Sequence, residues 1–189
     1  MKNFNNWQIN YIDVKIYIVK KSILIVLFFC LLHNTSYSNE IGQVTGYQIP
    51  RFVSLKSDEV NLRIGSSTNY PIILKYVTKN MPIEITDEYE RWRKIRDKDG
   101  NEGWIRKDLL KGDRFAITIK DNKYKIYMYS KPNGVQIGEI GESNIAKIKV
   151  CLEKWCKIKF ERHTGWVDKN NLWGIYENET INVPFYQPL

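Results

Sequence analysis

The stretch that decides the fold reads Trp92-Arg93-Lys94-Ile95-Arg96-Asp97-Lys98-Asp99-Gly100-Asn101-Glu102-Gly103-Trp104-Ile105. Trp92 to Arg96 alternates as a half-buried strand does, with one irregularity that places Trp92 and Ile95 near the same core. Asp97 to Asn101 is a turn, and Asp-Gly is a strong hairpin signal. Gly103-Trp104-Ile105 resumes the partner strand. Upstream, Pro82-Ile83-Glu84-Ile85-Thr86 alternates too, and Ile72-Ile73-Leu74-Lys75-Tyr76-Val77 is β-rich. Downstream, Asp108-Leu109-Leu110 suits a single helical turn plugging one end. No stretch keeps helical periodicity for three turns.

Short, evenly spaced strands between tight turns predict a small β-barrel. About 55 residues make a marginal core alone. Large aromatics compensate, so Trp92 and Trp104 are expected in that core. A reduced copy follows, with Trp155-Cys156-Lys157-Ile158-Lys159, Gly165-Trp166-Val167 and Leu172-Trp173-Gly174. In both copies Gly-Trp precedes a Leu by the same interval, Trp104 to Leu110 and Trp166 to Leu172. The inner Trp leads by nearly the same distance, Trp92 to Trp104 against Trp155 to Trp166. The one-residue difference fits a different hairpin turn at Arg162-His163-Thr164. Such self-similarity, varying in a loop, is the mark of duplication. The expected fold is therefore all-β, two tandem barrels over residues 54–111 and 115–174. Trp155 and Trp166 are the expected core of the second. A punctuated lead-in, 39–53, precedes them and an extended tail, 175–189, follows. Gly112-Asp113-Arg114 is the only joint, which implies close contact between the units.

Residues 1–38 read as a secretory signal peptide. Ser22 to Leu32 (SILIVLFFCLL) is apolar, follows Lys20-Lys21, and is too short for a span of about 20 residues. Ser36-Tyr37-Ser38 supplies small residues at −3 and −1, so cleavage is expected after Ser38, leaving no transmembrane span; the alternative is a retained anchor. Cys151 and Cys156 then remain. They flank a plausible hairpin tip, an oxidising compartment allows them to pair, and opposed strand positions lie within disulfide reach. The alternative is two reduced, partly buried thiols. Formal net charge is +8 over the whole sequence. Removing Lys2, Lys15, Lys20, Lys21 and Asp13 leaves 25 − 20 = +5, with both signs interspersed. That is a solvated surface rather than a nucleic-acid site.

These motifs resemble the bacterial Src-homology-3 (SH3-like, SH3b) domain family. The resemblance is carried by Val60-Asn61-Leu62-Arg63, Tyr70-Pro71, Trp92-Arg93-Lys94-Ile95-Arg96, Gly100 and Gly103-Trp104-Ile105. It is closest to the two-repeat type of alphaproteobacterial exported proteins, whose second unit carries Cys151, Trp155-Cys156 and Leu172-Trp173-Gly174 here. The resemblance implies a five- to six-stranded barrel that binds and does not catalyse. Relatives of this type are attached to cell-wall enzymes, where they engage peptidoglycan peptides, or stand alone. The second unit departs by lacking an Asn-Leu-Arg opening.

Three residues are candidate ligand contacts. Arg63 can grip a ligand carboxylate, or pair with a nearby Asp or Glu and brace its loop. Tyr70 and Tyr89 combine an apolar face with a polar tip beside the Arg63 segment. Catalysis has little support, because a Cys-His hydrolase needs a thiol beside a base and only His163 survives leader removal. Two Cys and one His fall short of a metal's usual four ligands, and no cofactor motif is present. The expected function is an exported, non-catalytic module of the periplasm or cell envelope. Its partner is a cell-wall peptide or an envelope component. The alternative is an adaptor that takes a partner protein's peptide in an aromatic groove.

Overall fold

The computed structural model describes residues 16, 18–21, 40–119 and 125–182. The chain divides into two compact units, Met1–Ser38 and Asn39–Leu189. The expected leader and its cleavage site fall in the first, almost wholly outside the described residues. Among the described residues no helix is long and apolar enough to cross a membrane.

The second unit opens with a small hairpin, β1 (Glu40–Ile41) and β2 (Gln48–Ile49). The first large sheet contains β3 (Arg51–Leu55), β4 (Val60–Arg63), β5 (Ile72–Tyr76), β6 (Pro82–Tyr89), β7 (Trp92–Arg96), β8 (Glu102–Arg106) and β9 (Leu110–Lys111). Its hydrogen-bonded order is β5-β4-β8-β7-β6-β3-β9. The second contains β10 (Phe115–Thr118), β11 (Ile126–Tyr129), β12 (Gln136–Ile140), β13 (Ile145–Cys151), β14 (Trp155–Phe160), β15 (His163–Asp168) and β16 (Leu172–Trp173). Its order is β12-β11-β15-β14-β13-β10-β16, the first order with every label raised by seven. All pairings are antiparallel. Irregularities repeat as well. The register slips between Leu62 and Arg63 and between Ile85 and Asp87, then between Met128 and Tyr129 and between Ile148 and Val150. Bulges bend a strand and raise its twist, so matched bulges give matched curvature. Each sheet runs open from edge to edge, ending at β5 and β9 or at β12 and β16. The expected closed barrels are therefore two antiparallel sheets that hydrogen bonds do not close; β9 and β16, two residues each, are too short to carry a ladder around.

Aliphatic side chains make both cores. Val53, Leu55, Val60, Leu62, Ile83, Ile85, Ile95, Ile105 and Leu110 fill the first. Ala116, Ile126, Met128, Ile148, Ile158, Val167 and Leu172 serve the second, joined by Cys151 and Cys156. At about 25 cal/mol per Å² of apolar surface, burying such a side chain is worth roughly 1.5–3 kcal/mol. The expected single helical turn occurs twice, as 3₁₀ turns at Lys107–Leu109 and Lys169–Asn171.

Three of the four tryptophans correct an expectation. Trp92 is buried as expected, whereas Trp104, Trp155 and Trp166 are only half-buried. Strand alternation explains it. Gly103 and Ile105 face inward, so Trp104 faces out, and Gly165 and Val167 do the same to Trp166. A Cβ on Gly103 would stand 2.7 Å from the Arg63 carbonyl and 2.8 Å from Leu62, so only glycine fits against β4. The irregularity read into β7 belongs instead to its partner β6.

Loops differ in detail. Asp97 to Asn101 turns as expected, with Gly100 at φ +83°. Buried Asp97 accepts from the amides of Asp99 and Asn101, from Asn101 Nδ2, and from the Tyr76 hydroxyl at 3.0 Å. Burial first, then the neighbouring Asp97 charge, pushes the Tyr76 phenol far above its usual range. The second hairpin turns at Glu161-Arg162 rather than at Arg162-His163-Thr164, because His163 already pairs with Phe160 in the ladder. The lead-in is folded: Arg51, Phe52 and Val53 lie in β3, and β1–β2 precede them. In the tail, Ile175 and Ile181 join the second core, while 183–189 lie outside the described residues.

Candidate binding faces

Arg63 ends β4, and its guanidinium donates to the Tyr70 carbonyl at 2.7 Å. The Ile64 amide donates to Pro71 O and the Tyr70 amide to Ser67 O, so the loop closes on itself. The Tyr70 ring lies over Gly65, where an added Cβ would meet it at 2.5 Å. Arg63 thus braces its own loop through a main-chain carbonyl. Tyr70 is 48% exposed, beside exposed Ile64 and Ile72. Tyr89 is 52% exposed on β6. Three strand spacings, about 14 Å, separate β6 from β4, so Tyr89 is not brought to the Arg63–Tyr70 loop.

The outer face of the first sheet is a row across the strands. Ile72 opposes Arg63, Arg63 opposes Trp104, Trp104 opposes Lys94, and Lys94 opposes Asp87. Its charges are largely matched. Arg96 and Lys94 pair with Glu102, and Arg106 and Arg91 pair with Asp108. Hydrogen bonds from Arg96 and the nearby Lys94 hold the Glu102 carboxyl below the usual range.

The corresponding row in the second sheet differs. Gln136 opposes Tyr129, Tyr129 opposes Trp166, Trp166 opposes Lys157, and Lys157 opposes Val150. Trp155 stands on the same face and meets the Tyr129 ring edge-on, centroids 5.3 Å apart. Three half-buried aromatic rings therefore share one outer face. Tyr129 takes the place of Arg63; the alternation Ile126-Tyr127-Met128-Tyr129 was the signal that could have revealed it. Among the described residues, Lys149, Lys157 and Lys159 on this sheet have no carboxylate in ion-pair reach.

Cys151 and Cys156 oppose each other across β13 and β14 with Cα atoms 4.1 Å apart, and their sulfurs are bonded. His163 is exposed on β15, and neither sulfur is free to act with it. Among the described residues no group of His, Cys, Asp and Glu could hold a metal. The two sheets meet through aromatic contacts. Phe52 packs edge-on to Trp173 at 5.1 Å and against Tyr176 at 4.7 Å, and the Tyr176 hydroxyl donates to Glu84 at 2.8 Å.

The family model for the bacterial SH3 domain matches residues 56–112 and 139–174. The chain carries two bacterial SH3 domain repeats. The two matches cover β4–β9 and most of the second sheet from β12 onward. No curated protein matches. Among solved structures, NlpC2 from Trichomonas vaginalis is similar at 15% identity and TM-score 0.31, over 67% of this chain and 49% of that one. NlpC1 from the same organism follows at 15% identity and TM-score 0.29, over 70% of this chain and 48% of that one. The chain spans about half the length of these structures.

Proposed function

We propose that this SH3 repeat protein is an exported, non-catalytic binding module of the periplasm or cell envelope, and that its ligand is peptidoglycan or another envelope component. The observation that carries the reading is the outward placement of Trp104, Trp155 and Trp166. Half-exposed indoles on the outside of two rigid sheets offer ligand contact that core tryptophans would not. The Cys151–Cys156 bond supports an oxidising compartment, where disulfides persist. Both thiols being tied also leaves His163 without a nucleophile to activate. The test is co-sedimentation with purified sacculi: the module partitions into the pellet, and a protein that stays wholly in the supernatant overturns the reading.

One observation favours the adaptor as a second reading. β5 and β12 are sheet edges, and they carry exposed Ile72, Ile73 and Ile137. An extended peptide can add to such an edge through main-chain hydrogen bonds. Crosslinking in cells that captures one abundant protein, with no wall fragment, supports it.

A further inference from the structure

We propose that the outer face of the second repeat, built on Tyr129, Trp155 and Trp166 with Lys149, Lys157 and Lys159, is a binding face for an acidic polysaccharide. This deepens the envelope-binding reading and rests on it.

The face is displayed by interior strands. β11 lies between β12 and β15, β15 between β11 and β14, and β14 between β15 and β13. β14 is laddered to β13 and to β15, and the β11–β15 pair Tyr129–Trp166 closes the middle of the face, so no free strand edge runs beneath these rings for a peptide to join. Recognition must come from side chains. What they offer includes three ring surfaces and three ammonium groups, with the Asp168 carboxylate opposite Trp155 at one end. Trp166 opposes both Tyr129 and Lys157, and Lys159 follows Lys157 on the same face about 6.6 Å along the strand. A pyranose has an apolar C–H face that lies flat on an indole, and a uronic acid adds a carboxylate at the ring edge for an ammonium. The lysines lack carboxylate partners among the described residues, whereas Lys94, Arg96 and Arg106 on the first sheet all have them. The charge is complementary to an anionic ligand on one repeat only. A nucleic acid offers rings and phosphates too, but the disulfide closing β13 to β14 beside Trp155 belongs to an oxidising compartment.

The test is calorimetric titration of the intact protein with four probes: polygalacturonate, neutral dextran, poly-glutamate and a single-stranded oligo-thymidine. The expected result is binding to polygalacturonate, weaker as salt rises, and no binding to dextran. Trp166→Ala and the double variant Lys157→Glu/Lys159→Glu each weaken it at least tenfold. Trp166→Phe retains most of it, and Lys79→Ala, at an exposed turn of the first repeat, leaves it unchanged. The lysine variants alter exposed or half-exposed positions, so they remain informative if Trp166→Ala fails to fold. Equal binding of poly-glutamate or oligo-thymidine overturns the proposal, as does equal affinity in the Lys157→Glu/Lys159→Glu variant. Sacculus binding without polygalacturonate binding removes this face and leaves the envelope reading standing. Failure with both removes both.

Discussion

The twin repeats solve one structural problem in two ways. Counting from the matched ladders, Glu88 opposite Arg93 in the first sheet occupies the place of Cys151 opposite Cys156 in the second. One hairpin end is held by a buried ion pair, the other by a covalent bond. Beside each lies a buried arginine at the same station, Arg51 in β3 before Phe52 and Arg114 just ahead of β10 before Phe115. Arg51 donates to Glu88 Oε1 at 2.7 Å. In the second repeat the cysteine has displaced that carboxylate, so Arg114 takes one from the tail. It pairs with Glu179 through both terminal nitrogens and donates to the Gly174 carbonyl at 2.8 Å. Both sites are capped by chain outside the repeats. Val44, Thr45 and Gly42 of the lead-in close over Glu88, while Ile181 of the tail bridges Cys151. Duplication preserved the need for a buried anchor at this corner and left its chemistry free to change.

The largest way to break the comparison is Glu88→Ala. Glu88 is fully buried and lies between Arg51 and Arg93, the latter at 3.6 Å. Removing it leaves two buried guanidiniums without a counter-charge, and breaking a buried pair from one side costs about 3–5 kcal/mol. Denaturant unfolding of the variant should show that loss. A cost below about 1 kcal/mol would mean the corner is not an anchor. The same residue sets an acid sensitivity. Burial alone would raise the Glu88 carboxyl, but hydrogen bonds from Thr45 and Arg51 outweigh it and hold the carboxyl below its usual range. A depressed folded value contributes stability that is complete above the unfolded value, about pH 4.3, and is lost as pH falls through the folded one. Glu88→Gln should therefore flatten the stability profile below about pH 4.3. The disulfide of the second repeat adds no such dependence.

Next in size is the disulfide. Its cysteines are five residues apart, so the loop it closes is short. Chain-entropy reasoning gives about 2 kcal/mol for so small a loop, less than the ion pair opposite it in the comparison. Cys151→Ser/Cys156→Ser should lower the unfolding free energy by that amount without altering the sheet signal in circular dichroism. If its loss exceeded that of Glu88→Ala, the covalent anchor would be the stronger of the two. The equivalence can also be sharpened by transplanting it. Glu88→Cys/Arg93→Cys with Arg51→Met should form a second disulfide, seen as no free thiol beyond that of Cys30 on Ellman titration of the denatured, unreduced chain.

The β-rich class and the duplication were legible because turns and Gly-Trp spacing are local signals. The faces of the tryptophans were not. In Gly103-Trp104-Ile105 both Trp104 and Ile105 are apolar, so alternation alone cannot say which points inward. The closeness of Leu62 to Gly103 decides it, and Leu62 is far away in sequence. Nor was the corner anchor legible. Glu88 and Arg93 are charged residues near a turn, where a sequence suggests solvent, and their burial depends on β3 and on a lead-in more than 40 residues away. The outer face of the second repeat was hidden for a related reason. Tyr129 and Trp166 face each other only through the β11–β15 pairing, which joins segments 37 residues apart.

The smallest effect tests the lead-in's share of the first anchor. Thr45 contributes twice, its amide to Glu88 Oε2 at 2.9 Å and its hydroxyl to Oε1 at 2.7 Å. Thr45→Ala removes the hydroxyl alone. The Val44 and Thr45 amides and Arg51 continue to hold the carboxylate, so nothing charged is left unpaired. A hydrogen bond to a charged group is worth about 1.5–3 kcal/mol, and the remaining donors place this one at the lower end, about 1.5 kcal/mol. The same substitution in a Glu88→Gln background should cost less, because the hydroxyl then meets a neutral amide. A double-mutant cycle measures that difference directly. A coupling near zero would show that the lead-in hairpin covers the corner without helping to hold its charge. In that case its role would match that of Ile181 over the disulfide, where the cap meets no charge at all.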